Sequence, residues 1–141
     1  MPSITQGSVT VQIPDHIPLP ERAGKLSVEE LRRFETARRG IGLVAEQMAE
    51  AMKKHPERLT PPGVDPAALA ASGKAAEDID TVIDDLDALL MVLKQANRIL
   101  DADANQQLRR VLAFVRAQEK FDPTLPSLVP TLVGYFANDS K

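Results

Sequence analysis

The chain has 141 residues, long enough to bury a core and short enough for one domain. Apolar residues make up 43% but aromatics only 4%, so a core falls to Leu, Val, Ile, Ala and Met, and stacking platforms for single-stranded nucleic acid are missing. A net charge of −3 argues against a dedicated DNA or RNA binder, and zero cysteines exclude disulfides, thiolate catalysis and zinc-thiolate sites.

No run of about 18 apolar residues is present, so no membrane span is expected. The N-terminus has no basic region followed by an apolar stretch, so no signal peptide is expected either. These features predict a soluble, cytoplasmic protein.

Residues 1–26 read as an extended arm. Val9, Val11 and Ile13 alternate with Ser8, Thr10 and Gln12, the period of a short strand. Pro14, Pro18 and Pro20 then hold the backbone extended. The alternation predicts a single strand with no second strand in the chain to pair with.

Ser27 and Glu30 form a capping box that opens a helix expected over about 28–54. Leu31, Phe34, Ile41, Val44, Met48 and Met52 are its expected buried stripe, filled in by Ala37, Ala45 and Ala51. Gly40 and Gly42 interrupt it and predict a kink or a close crossing with another backbone. Pro56 ends it, with Lys53, Lys54 and His55 in the last turn.

After the Pro61, Pro62, Gly63 loop, Asp65 and Pro66 supply an N-cap and a first helical proline. Ala67 to Ser72 fit a short helical turn, broken or weakened at Gly73. The strongest pattern follows, over Ala75 to Leu100. Ile79, Val82, Leu86, Leu89, Leu93, Ala96 and Leu100 recur at alternating spacings of three and four, an unbroken heptad seam. Ile83 and Leu90 flank it on one side, Val92 and Ile99 on the other. A face this wide predicts the most buried helix of the fold, touched by several neighbours.

Asp103 with Gln106 reads as a second capping box, opening a helix to about Lys120 with Leu108, Val111, Leu112, Phe114 and Val115 inward. Phe121, Asp122 and Pro123 stop it. A last helix over about 127–137 carries Leu128, Val129, Leu132, Val133 and Phe136. The expected fold class is all-α. Residues 27–141 form an antiparallel, up-and-down four-helix bundle, preceded by the arm of residues 1–26.

Few residues point to chemistry. Gly40, Gly42 and Ala45 match the G-x-G-x-x-A dinucleotide pattern, but that pattern needs a strand before it and free helix amides after it. With Val28 to Arg39 read as helix, close packing is the better explanation, and no cofactor is expected. The acidic run Glu77, Asp78, Asp80, Asp84, Asp85 and Asp87 places Asp80, Asp84 and Asp87 on one face. Carboxylate or metal-dependent activity there is the one surviving enzyme reading. A solvated face complementing the helix dipole explains the run better, and no metal site is expected. The two histidines, His16 and His55, match no ligand or triad spacing, so no enzyme activity is expected.

Arg32, Arg33, Arg38 and Arg39 would serve a nucleic-acid binder, yet Glu29, Glu30 and Glu35 interleave with them as in an ion-paired surface. A small-molecule or lipid carrier would need a cavity among Phe34, Ile41, Met48, Met52 and Leu90. The leading expectation is a non-catalytic structural or protein-interaction module that self-associates through its arm. Val9, Val11, Ile13, Ile17 and Leu19 are then the partner-binding residues, and the partner is a second copy or another protein.

Overall fold

Gly7 and Ser8 turn the N-terminal chain back on itself. Gly7 has φ 59°, and among the described residues only glycines have positive φ, the arrangement of a hairpin turn with glycine first. Strands β1 (Ser3–Gln6) and β2 (Val9–Gln12) pair antiparallel, Ser3 opposite Gln12 and Gln6 opposite Val9. The Thr5 and Thr10 hydroxyls meet across the pair at 2.9 Å, and the Ile13 amide donates to the Pro2 carbonyl at 2.8 Å. The strand expected to lack an internal mate therefore has one. This computed structural model describes residues 1–138.

Helices make up most of the rest. Helix α1 (Val28–Leu31) starts where the capping box places it, with the Glu30 amide donating to Ser27 Oγ at 3.1 Å. It lasts one turn. The helix expected over 28–54 is broken, and α2 (Ile41–Lys54) begins only after Gly40, whose φ of 91° cannot continue a right-handed helix. The short α3 (Pro56–Leu59) follows.

Helix α4 runs without interruption over Pro66–Gln118. Asp65 caps its start, accepting from the Ala68 amide at 2.9 Å. The break expected at Asp101 to Asp103 does not form. Asp103 accepts from the Gln107 side-chain amide at 2.8 Å, and Asp101 from the Asn97 side chain at 3.1 Å. Both are pairs four residues apart that support a continuing helix rather than a cap. Past α4, Asp122 accepts from the Thr124 hydroxyl at 2.6 Å and from its amide at 3.1 Å, closing the turn before Pro123 has ended. The expected last helix is split into α5 (Leu125–Leu128) and α6 (Pro130–Phe136) at Val129, the residue before a proline. The chain is thus mostly helical with a small two-stranded sheet, and the four-helix bundle is not seen in this arrangement: two of its expected helices are one.

Two compact units divide the chain within α4, Met1–Asp87 and Ala88–Lys141. Among the described residues, the buried apolar side chains are Ile13, Ile17, Ala45, Ala49 and Met52 in the first unit and Val115 and Phe136 in the second. The guanidinium of Arg109 lies 4.8 Å from the Phe136 ring centre, and Tyr135 meets that ring edge-on at 5.0 Å.

The buried stripe of α2 is Gly42, Ala45, Ala49 and Met52, whereas Val44 and Met48, expected inside, are exposed, as are Leu31 and Phe34. The reason lies in a close crossing with α4. A Cβ on Gly73 would collide with Ala45 Cβ and come within 3.2 Å of the Ile41 carbonyl and 3.4 Å of Gly42 Cα. Only small residues let two helix backbones approach so closely, so the contact selects α2's small face over its large one. Alanine at Gly73 is expected to cost about 1–3 kcal/mol of overpacking, offset in part by roughly 1 kcal/mol of helix propensity. A lower melting temperature for Gly73→Ala than for the parent chain checks this. Gly42→Ala should cost less, since the atoms nearest its new methyl belong to the flexible Glu77 side chain.

Candidate functional site

Helix α4 presents the feature that demands an explanation. Its heptad seam, expected to be the best-covered surface of the fold, is exposed from Leu86 onward. In the second unit Leu89, Leu93 and Leu100 are 54%, 58% and 67% exposed, and Leu90, Val92 and Ile99 beside them are exposed as well. In the first unit Ile79 and Val82 are half-buried, while Ile83 and Leu86 are exposed. The expectation that this helix is the most buried is overturned. With Asp101 to Asp103 helical, the segment expected to fold back over the seam instead continues the same helix.

A monomeric protein rarely leaves a long row of leucines in water. The row is also regular. Seven positions at alternating spacings of three and four keep one side of a helix in contact with a second helix. What such a surface does chemically is pack.

The arm residues named from the sequence fall differently. Ile13 and Ile17 are 2% and 3% exposed, buried within their own chain. Val11 and Leu19 are half-buried, and Val9 is exposed. The Ile17 amide donates to the Pro14 carbonyl at 3.0 Å, so the proline segment turns rather than staying extended. His16 Nε2 lies 3.9 Å from Asp78 Oδ2 on α4.

The G-x-G-x-x-A segment does open a helix, contrary to expectation, because α2 starts at Ile41. Its surroundings remain unsuited to a phosphate. No strand leads into it, and the Glu77 side chain lies against Gly42, placing an acid where the anion would sit. Among the described residues no three His, Asp or Glu side chains gather as a metal site. Of the cavity set, Met52 is buried while Phe34, Met48 and Leu90 are exposed. An open apolar hollow does occur elsewhere, between Leu108 of α4 and Leu132 and Tyr135 of α6. No described helix is long and apolar enough to cross a membrane.

Arg39, one of the four arginines considered for nucleic acid, is engaged by the acidic run. Its Nη1 and Nη2 donate to Asp84 Oδ2 and Oδ1 at 2.6 and 2.7 Å, a two-pronged pair tying the entry of α2 to α4. Those hydrogen bonds, helped by the guanidinium charge, hold the Asp84 carboxyl below the usual range, and they raise Arg39 in turn. Lys74 Nζ donates to Asp78 at 2.8 Å.

Comparison with protein-family models, with curated proteins and with solved structures finds no match to this chain.

The Asp84 pair carries a pH dependence whose sign follows from its direction. The folded pKa lies below the unfolded value of about 3.9, so the contribution is present above that pH and is lost as pH falls through the folded pKa. Asp84→Asn should lower the melting temperature slightly at neutral pH. The gap between variant and parent should close as the pH is taken below about 4, and should narrow in high salt because the pair is exposed.

Proposed function

We propose that this protein is a non-catalytic structural or protein-interaction module that self-associates, and that copies meet along the apolar face of α4. The observation that carries the reading is the row Leu89, Leu93, Leu100, regularly spaced and in water. A second copy supplies what one chain lacks, a helix with the same spacing, so a helical bundle is completed between copies instead of within one. Each leucine fully covered on association contributes about 1.5–3 kcal/mol before the cost of ordering is counted. A few layers on each copy are enough for a stable contact.

The arm is the weaker candidate surface. Its best apolar residues, Ile13 and Ile17, already serve their own chain, and Val9 alone offers little area. Enzyme action has less support still, since the only histidines sit in the arm and at the end of α2, and Asp84 is held by Arg39.

Molar mass in solution tests the proposal. The full chain should be an oligomer at micromolar concentration. Leu93→Asp should weaken association at least about 100-fold, since a carboxylate buried without a partner costs several kcal/mol. Val9→Asp should leave the mass unchanged. A monomeric parent chain would refute self-association, and dissociation by Val9→Asp with none by Leu93→Asp would return the contact to the arm.

A further inference from the structure

Ala88 to Leu93 are six apolar residues in succession, and at about 100° of turn per residue they reach every side of α4. All six are exposed. The breadth continues along the second unit. Beside the seam residues Leu89, Leu93 and Leu100, one flank carries Leu90 and the other Val92 and Ile99, exposed at 46%, 60% and 70%. Leu90 and Ile99 are nine residues apart, about two and a half turns, and so lie on opposite sides of the helix.

A two-stranded coil has a narrow apolar seam, and its flanking positions carry Glu and Lys that stay wet and pair across the contact. Between Ala88 and Ala102 the flanking positions are Leu90, Val92, Asn97 and Ile99, none of them charged. The charged residues of the stretch, Lys94, Arg98 and Asp101, stand away from the seam, and Asp103 at the next seam position ends it. A stripe this wide belongs to a helix with a neighbour on each side.

Area points the same way. A fully buried Leu, Val or Ile removes about 60–120 Å² from water. The three seam leucines then offer each copy roughly 180–360 Å², and the three flank residues as much again, which brings the total toward the ~800 Å² per partner of a stable interface. One neighbour along the seam leaves most of the flank area in water. A neighbour on either side covers it.

We infer that the exposed face of α4 between Ala88 and Ala102 takes two neighbouring helices rather than one, and that both come from copies of this chain, in an assembly of at least three. The inference rests on the self-association proposed above and adds the number of copies. Copies suit both flanks because each brings the same uncharged edges, apolar against apolar, whichever way the helices run.

Sedimentation equilibrium of the full chain at micromolar concentration should give at least three times the mass of one chain. Leu90→Glu combined with Ile99→Lys puts a charge on each flank and leaves the seam intact. Both positions are exposed, so the chain's own packing is untouched. This double variant should keep the helical circular-dichroism signal of the parent and fall below three copies. A parent of two copies would overturn the inference and leave self-association standing. A parent of three or more copies whose mass the double variant does not change would overturn it too, by showing the flanks uncovered. A monomeric parent would overturn both the number and the association it rests on.

Discussion

The uninterrupted backbone ladder of α4 decides most of what this molecule can and cannot do with its apolar residues. Between Gly73 and Pro123 no glycine or proline offers the chain a place to turn, and the polar residues that might have capped a new helix bond to side chains four residues away. A segment held in one continuous helix cannot fold back on itself. Its apolar seam must be covered by something other than its own continuation, or stay in water. The elements that remain are short. Apart from α2 they are single turns, a seven-residue helix and a hairpin of four-residue strands.

The first unit shows what this chain does where it can cover α4. Gly73 and Gly42 bring two backbones together, and the small face of α2 packs there. Arg39 reaches Asp84, and His16 and Lys74 approach Asp78, so the contact is apolar at its centre and charged around it. The acidic run, which in the sequence looks like an unexplained excess, is partly consumed by these bases. The same carboxylates make the helix start at Gly42 a poor place for an anion. Packing and electrostatics give one answer here.

Legibility in the sequence varied with the kind of signal. The caps at Ser27 and Asp65 act where their spacing places them, because a side-chain oxygen and an amide within one turn need nothing from the rest of the fold. The glycine pair was readable as a close crossing, yet not as the end of a helix, since a left-handed conformation at Gly40 depends on where the chain goes next. The hairpin was carried by Gly7 and Ser8, a pair that suits a tight turn. Ile4 is the only apolar residue of β1, too little alternation to announce a strand. Asp103 and Gln106 have the spacing of a cap, but Gln107, one residue on, takes the carboxylate instead. The heptad of α4 was plain. What covers it was not, because periodicity marks a face for burial without saying whether the cover comes from the same chain.

Size sorting ties these observations to the proposed role. Inside the first unit the close helix contact is made by Gly42, Ala45 and Gly73, while the larger Leu43, Val44 and Met48 are exposed. On α4, Leu86, Leu89, Leu90, Leu93, Leu100 and Leu108 are outside too. A monomer selected for its own stability has the opposite incentive, because a buried leucine excludes far more apolar surface from water than a buried alanine. Placing small residues at the internal crossing and large ones on open faces sacrifices core size for surface that a second helix can grip. The internal crossing needs closeness, which only small residues permit. The proposed association between copies would need area, which large ones provide. That division of labour follows from side-chain volume alone, and it supports reading the exposed leucines as the working surface of this protein.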